Sequence, residues 1–513
     1  MRVLTASDRA LLFEAADLDE AMRLNLAWAD VPGVIERIPG ARTVLVRFDP
    51  LMVSAAELAA RLEAAPADAA HARAMRDVVV PVRYDGADLA ETAELLGVSV
   101  DELVARHLAA HWQVAFSGFA PGFGYIAGDD PLFDVPRRSS PRTRVPAGSV
   151  ALAGEFTGVY PRESPGGWQL IGRTDAVMWD VTRDPPALLT PGTRVRFTRM
   201  ERDAAPASPG RRRTAPPPRV ARGVEILQVG VRTLVQDAGR PGHAALGVSA
   251  SGAADRIALR NGNRAVGNQP GAAVVEIVGG AVLRFHGAGV AAVTGAVGDA
   301  TVIDAAARPR VVRHGTPFAT AEGDELHLGP PERGIRYTVA VRGGLLVKPV
   351  LGSRATDTLA GLGPAPLTNG AVIAVGAECP FAVQPDAIPR PLPAPGDLVE
   401  LPITLGPRDE WFTASTLAVL TDQEWEVTAQ SDRVGIRLHG ERPLERAIGG
   451  ELPSEGAVTG AIQVPPEGQP VIFLPDHPLT GGYPVVGALT DRALDVAGQL
   501  PPGARVRFTI DRR

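Results

Sequence analysis

The alternation of apolar and polar residues has the two-residue period of β-strands along most of the chain, and helical periodicity is concentrated near the amino terminus. There the pattern predicts strands at 11–14, 34–38, 43–48 and 78–83, and helices at 18–28 and 54–62. The order βαββαβ is typical of a ferredoxin-like α+β domain, which we place at residues 1–80.

Short apolar segments separated by frequent glycine and proline follow, most clearly over 116–175. This punctuation predicts short strands joined by fixed turns, and two short helices at 88–96 and 100–110 precede them. We place a β domain at 81–200. Residues 201–222 are rich in proline, alanine and arginine and lack apolar periodicity, which predicts a linker.

After the linker, strand-like segments and a helix at 255–265 predict a further β domain at 223–400 and a closing β unit at 401–513. An internal repeat connects this unit with the earlier one. GGWQLIG at 166–172 matches GGYPVVG at 481–487, and each copy is followed by a PGxRVRFT segment, at 191–198 and 502–509. Two copies of one closing unit predict two related β domains.

Composition agrees with a mainly β fold, because 45% of the residues are hydrophobic but only 5% are aromatic, and 56 glycines and 47 prolines supply turns. A net charge of -6 with dispersed basic residues predicts no nucleic-acid partner. No apolar run is long enough for a bilayer and the amino terminus lacks a signal-peptide core, so we expect a cytoplasmic protein without a membrane partner.

Two clusters of polar residues in glycine-rich surroundings predict binding of a small anionic substrate. Guanidinium groups bind carboxylate or phosphate through two parallel hydrogen bonds, and hydroxyls supply further donors. A solvated loop with scattered salt bridges is the alternative. The predicted substrate-binding or anion-binding residues are Arg137, Arg138, Arg142, Arg144, Ser353, Arg354, Asp432, Arg433 and Glu451.

Candidates for proton transfer are Asp476, His477 and Tyr483 in FLPDHPLTGGYP. Histidine exchanges a proton near neutral pH and a neighbouring carboxylate can activate water, although Asp476 would equally suit a turn cap. His107 and His111 are one helical turn apart but have no third ligand in the motif, so we predict no metal site. The single Cys379 is predicted to be a loop or core thiol.

Neither a GxxxxGK[ST] phosphate loop nor a Met-Lys-Met biotin attachment site occurs, and Lys348 is the only lysine. We therefore expect no biotin attached to this chain.

Long motifs carry a family resemblance. GFAPGFGYI, PRTRVPAGSVALAG and TGVYPRESPGGWQLIGRT resemble the allophanate hydrolase subunit 1 family, mostly equated with the B component of ATP-dependent 5-oxoprolinase. LVQDAGRPGH, VLGSRATDTLAGLG, QSDRVGIRL and GGELPSEGAVTGAIQVPP resemble allophanate hydrolase subunit 2, the C component of 5-oxoprolinase. The resemblance implies cyclophilin-like β-barrels after the ferredoxin-like piece, homology to the carboxyltransferase part of urea carboxylase, and a fusion point at the linker.

The same resemblance implies a function. The first reading is the B and C part of an enzyme that uses ATP to open 5-oxo-L-proline to L-glutamate with a separate A-type subunit. A second is a carboxyltransferase that acts on urea or a similar amide with a biotinyl partner. A third is a regulatory protein that resembles an inhibitor of a sensor kinase and its antagonist. The sequence leaves a homo-oligomer open.

Overall fold

The computed structural model describes residues 1–65, 76–138, 140–200, 220–377, 380–384, 390–450 and 452–511. The fold is mainly β, as predicted. Cys379 and most of the predicted linker lie outside the described residues. Among the described residues, no helix combines the length and apolar character needed to cross a membrane.

The amino-terminal unit is a four-stranded antiparallel sheet in the order β1-β2-β4-β3 with two helices. Each helix begins at a side-chain cap, because Asp17 accepts a hydrogen bond from the Glu20 N–H and Ser54 accepts one from the Glu57 N–H. The indole of Trp28 is fully buried between helices and sheet. The elements are β1 Arg2–Ser7, β2 Ala10–Glu14, α1 Leu18–Ala27, β3 Val34–Pro39, β4 Thr43–Phe48 and α2 Ala55–Ala64.

The predicted βαββαβ order was wrong in its last strand. Strand β5, Asp77–Val82, pairs in parallel with β13, Arg194–Arg199, in the next sheet, and β1 takes the edge beside β2. Alternation in the sequence shows that 77–82 forms a strand, but Val80 and Val82 are buried among residues of the second unit. Burial with a distant partner strand therefore decides which sheet β5 joins.

The second unit is a seven-stranded sheet in the order β12-β9-β10-β7-β6-β13-β5, and an isolated bridge between Arg83 and Arg173 links its two ends. A separate two-stranded ribbon joins β8 and β11. The elements after β5 are α3 Leu89–Leu95, α4 Val100–Ala109, β6 Trp112–Ser117, β7 Gly124–Gly128, β8 Arg142–Val145, β9 Ser149–Ala153, β10 Phe156–Val159, β11 Ser164–Gly166 and β12 Gln169–Arg173.

The third unit is a nine-stranded sheet dominated by two long paired strands, β18 and β21. Its helix α5 is capped by Asp255 at its start and by Gly267, which has a positive φ of 74°, at its end. These bounds are close to the predicted ones. The elements are β14 Gly223–Gln228, β15 Arg232–Gln236, α5 Arg256–Val266, β16 Val274–Val278, β17 Ala281–His286, β18 Gly289–Ile303, β19 Pro309–Val311, β20 Phe318–Thr320, β21 Glu325–Val341 and β22 Val372–Ala374.

The fourth unit is a closed barrel in the order β23-β30-β27-β28-β25-β24-β31. A two-stranded ribbon of β26 and β29 accompanies it. The elements are β23 Leu398–Leu405, α6 Ala414–Asp422, β24 Trp425–Val427, β25 Gly435–His439, β26 Glu455–Gly456, β27 Ala461–Gln463, β28 Val471–Phe473, β29 Thr480–Gly481, β30 Val485–Leu489, α7 Asp491–Ala497 and β31 Arg505–Ile510.

The second and fourth units, which carry the sequence repeat, have the same strand order when β5 to β13 are set against β23 to β31. Trp112 and Trp425 begin equivalent strands, and each indole N–H donates to the carbonyl five residues back, of His107 and Leu420. The repeated segments thus occupy equivalent places in two similarly connected sheets. Their likeness to cyclophilins stays a prediction.

Candidate functional site

The two repeated segments meet at one pocket. Residues 166–168 of the second unit and 481–483 of the fourth unit both line a pocket of about 450 Å³. The Thr480 hydroxyl accepts a hydrogen bond from the Phe119 N–H at 3.2 Å, which ties the 118–123 turn of one unit to the other. We call this the inter-barrel pocket.

Aromatic rings form much of the pocket wall. Phe123 lies at the centre of a group of edge-to-face contacts, with ring centroids 5.2 Å from Trp168 and 5.3 Å from Tyr160. Such contacts fix the rings in place. Phe119 has a φ of +61°, which is rare for a bulky residue and is maintained by the surrounding turn. The wall is therefore rigid and presents flat apolar surfaces.

Arg446 is the cation in this pocket that sequence reasoning missed. Its guanidinium lies 5.6 Å from the ring centroid of Tyr483, and one N–H donates to the Val464 carbonyl at 2.5 Å. No carboxylate of the described residues lies within ion-pair distance of it. Burial lowers the pKa of Arg446 from its ordinary value, but an arginine stays charged at neutral pH. Glu467 acts on Arg446 electrostatically without pairing with it. A cation that has no ion-pair partner among the described residues and lies beside flat rings suits a small planar organic anion.

Two of the predicted arginines also line this pocket. Arg137 donates to the Ser454 hydroxyl at 3.4 Å, across the boundary between the units. Arg138 donates to Asp88 at 2.8 Å. Tyr483, predicted as a proton-transfer residue, lies in the same pocket and is 43% exposed. The structure thus brings together the arginine loop of one repeat and the glycine-aromatic segment of the other.

Arg142 is not among the residues that line the inter-barrel pocket, so its predicted substrate contact stays a prediction without support from this pocket. It forms two hydrogen bonds to the buried Asp88, at 2.6 and 2.8 Å, and Asp88 also accepts from the Leu170 N–H. Burial alone would raise the pKa of Asp88, but the hydrogen bonds from Arg142 and Leu170 lower it overall. Both terminal nitrogens of the guanidinium thus hold β8 beside the loop that precedes α3.

An ion pair with its two charges exchanged occupies the equivalent place in the fourth unit. Arg408 donates through Nε to both carboxylate oxygens of Glu455, at 3.0 Å each. The Arg408 N–H donates to the Val485 carbonyl just as the Asp88 N–H donates to that of Leu170, so the two positions correspond. The two units therefore share an architecture but use opposite charges at this common junction.

The other predicted anion-binding residues lie elsewhere. Arg144 has a side chain that is 74% exposed and pairs with Glu163, as the solvated-loop alternative expects. Ser353 and the Arg354 N–H both donate to Asp237 at 2.6 Å, which ties their loop internally. The remaining two are Asp432, which accepts from two turn N–H groups, and Glu451, which lies outside the described residues.

Asp476 and Arg433 form a fully buried ion pair, an arrangement that favours a structural role over the catalytic role predicted for Asp476 and the substrate-binding role predicted for Arg433. Both Asp476 oxygens are occupied, by Arg433, by the Ser251 hydroxyl at 2.6 Å and by the N–H and hydroxyl of Thr358. Arg433 also donates to Glu276 at 2.6 Å. A carboxylate without a free lone pair or access to water joins the third and fourth units instead of moving protons.

His477 lies in a different cavity from Tyr483. Its ring is 4% exposed and stacks on Phe473, with Nδ1 2.8 Å from the Pro478 carbonyl. Burial lowers the pKa of His477 to about 4, so the imidazole is neutral at neutral pH. The three residues predicted to act together in proton transfer are therefore separated, and only Tyr483 faces the inter-barrel pocket.

The histidine pair at His107 and His111 forms no metal site. Both ring nitrogens of His107 are engaged, with the Tyr84 hydroxyl at 2.8 Å and the Thr157 hydroxyl at 3.1 Å. His111 pairs with Asp129. Within the described ranges, no group of three or more histidine, cysteine, aspartate or glutamate side chains is placed to hold a metal ion.

Comparisons with known proteins divide the chain into an amino-terminal and a carboxyl-terminal part, as the two family resemblances of the sequence do. Residues 1–189 match the model "Carboxyltransferase domain, subdomain C and D", and residues 246–510 match "Carboxyltransferase domain, subdomain A and B". A urea amidolyase of Lachancea kluyveri is 30% identical over 55% of this chain, which corresponds to 17% of that longer protein.

Two curated relatives each match one part. The B component of 5-oxoprolinase from Escherichia coli O157:H7 is 41% identical over 34% of this chain and 82% of its own length. The C component of 5-oxoprolinase from Escherichia coli K12 is 33% identical over 56% of this chain and 90% of its own length. The crystal structure of TTHA0988 matches with a TM-score of 0.84 and 34% identity over 98% of this chain and 99% of that chain. The chain therefore belongs to the carboxyltransferase-domain family, with the C/D and A/B parts in one polypeptide, and its homologues are the B and C components of 5-oxoprolinase and urea amidolyase.

Proposed function

We propose that this chain is the fused B and C part of an ATP-dependent 5-oxoprolinase, and that it binds 5-oxo-L-proline in the inter-barrel pocket. The observation that carries the proposal is Arg446, a cation that has no ion-pair partner among the described residues and lies beside an aromatic wall. 5-oxo-L-proline is a flat lactam with one carboxylate. Its carboxylate would pair with Arg446 through parallel hydrogen bonds, and its ring would lie against the aromatic side chains.

Both family parts contribute to this pocket. The part that matches the 5-oxoprolinase B component supplies Phe123 and Trp168, and the part that matches the C component supplies Arg446 and Tyr483. A pocket built from both parts gives a physical reason for keeping them together, as one chain or as a complex.

ATP enters the proposal through a partner. The sequence has no phosphate-binding loop, and a lactam must be activated before water opens it, so we propose that a separate A-type subunit supplies the phosphoryl-transfer site. The names of the relatives, which are lettered components of one enzyme, support this division. The role of this chain is then to hold the lactam in a defined orientation at a surface that the partner can reach.

The test is a reconstitution assay. The purified chain, mixed with an A-type subunit, should release glutamate from 5-oxoproline in the presence of ATP, and neither protein alone should do so. Arg446→Gln should raise KM by about 10- to 100-fold, because a charge-assisted hydrogen bond contributes about 1.5–3 kcal/mol. Arg144→Gln removes an exposed arginine outside the pocket and is the matched control.

The outcomes separate the candidate functions. An unchanged KM in Arg446→Gln would contradict the placement of the substrate. Robust ATP-dependent glutamate release by the isolated chain would contradict the partner. Homology to urea amidolyase favours a carboxyltransferase as the second candidate, and carboxyl transfer from a biotinyl partner to urea, with no turnover of 5-oxoproline, would establish that function instead.

A further inference from the structure

A second cavity, of about 280 Å³, lies where the amino-terminal sheet, the third unit and the last barrel meet. Its apolar lining includes Ile38, Ala457, Val458 and Leu479, which belong to one buried cluster. His477 is the lining residue whose chemistry the proposed function does not use. We call this space the His477 cavity.

The hydrogen bonding of His477 defines what it offers to a ligand. A carbonyl oxygen accepts only, so the contact with Pro478 at 2.8 Å requires the hydrogen to be on Nδ1. Nε2 of the neutral ring then carries an unprotonated lone pair. Among the described residues, no group hydrogen bonds to Nε2. Phe473 stacks on one face of the ring at an interplanar angle of 10°, and His477 is among the residues that line the cavity.

The charged side chains around this cavity already have partners, either in ion pairs or, for Asp8 and Asp237, through hydrogen bonds accepted from the Asp491 and Arg354 N–H groups. Arg47 lies 2.7 Å from Glu36, Arg9 lies 3.1 Å from Asp491, and Arg256 lies 2.7 Å from Asp491. A charged ligand would have to displace one of these pairs. An uncharged ligand would leave them intact, in contrast to the inter-barrel pocket, where Arg446 has no ion-pair partner among the described residues.

We propose that the His477 cavity binds a small uncharged N–H donor, which donates its hydrogen to Nε2 of His477. The apolar walls accommodate the carbon skeleton, and Nε2, one of several polar groups in the lining, orients the bound donor. A donor at this point would form the hydrogen bond that no described residue makes to Nε2. The proposal goes beyond the proposed function and holds whether or not the inter-barrel pocket binds 5-oxoproline.

Ligand-observed NMR with the full chain provides the test. The ligands are 2-pyrrolidinone, an uncharged lactam with one N–H, and N-methyl-2-pyrrolidinone, which has no N–H. We expect the N-methyl compound to bind at least tenfold more weakly to the wild-type protein. His477→Phe should abolish binding of 2-pyrrolidinone, and Arg446→Gln should leave it unchanged.

Each result decides the proposal. Equal binding of the two compounds to the wild-type protein overturns it, and this comparison requires no variant to fold. Retention of 2-pyrrolidinone binding in a folded His477→Phe protein overturns it as well. Loss of binding in Arg446→Gln would place the lactam in the inter-barrel pocket and would equally overturn it. A tenfold preference for the N–H compound together with loss in His477→Phe supports it.

Discussion

Replacing Asp476 by asparagine should destabilise the protein without a specific effect on chemistry. The carboxylate accepts five hydrogen bonds, two of them from Arg433, and is fully buried. Burial alone would raise the pKa of Asp476, but Arg433 lowers it overall, so the native state holds the ionised form. Asparagine keeps the shape but turns one acceptor into a donor that faces existing donors.

The loss of stability in Asp476→Asn depends on the ion pair that Arg433 retains. Breaking a buried ion pair costs about 3–5 kcal/mol. Arg433 retains Glu276 at 2.6 Å, so we expect a loss near the lower end, about 3 kcal/mol. For a cooperative unit of roughly 150–250 residues, this corresponds to a fall in Tm of about 6–12 °C.

Thermal unfolding followed by tryptophan fluorescence, together with turnover measured well below Tm, checks this expectation. Asp432→Asn is the matched control, because it makes the same chemical change one position away from Arg433 and keeps an oxygen for the turn N–H groups, so Tm should move little. A Tm equal to that of the wild type in Asp476→Asn, with kcat lost at an unchanged KM, would refute the structural role and return Asp476 to the chemistry.

Three further predictions rest on other parts of the chain. Burial lowers the pKa of His107 to about 3, whereas an unfolded imidazole titrates near about 6.5. Only the unfolded state takes up this proton between those values, so stability falls as pH falls through that window. The free energies of unfolding of the wild type and of His107→Asn, measured at pH 7 and at pH 5, should therefore differ by about 2 kcal/mol less at pH 5. A difference that does not change with pH would contradict this. Glu455→Arg should destabilise the protein by at least about 3 kcal/mol in urea unfolding. Adding Arg408→Asp copies the charge order of the second unit and should recover part of that stability. A double variant no more stable than Glu455→Arg would count against the equivalence of the two junctions. Limited trypsin digestion should cut first within 201–222, and a first cut within 120–175 would contradict the predicted linker.

The sequence by itself determined most local structure. Apolar alternation located strands such as β3 and β4, and helical periodicity located α1 and α2 to within one or two residues. The repeated glycine-aromatic segments indicated two related units, which have the same strand order. These features depend on residues close together in the chain, so a single sequence carries them.

The tertiary structure alone decided which charges are available for function. Arg142, at the start of β8, is neutralised by Asp88, more than fifty positions earlier in the chain. Arg446, outside the named strands, faces Tyr483 without an ion-pair partner among the described residues. Strand β5 likewise joins a sheet through β13, which is far away in sequence. The physical reason is that ion pairing and strand pairing depend on distances of a few ångströms between remote segments, and local periodicity contains no information about those distances.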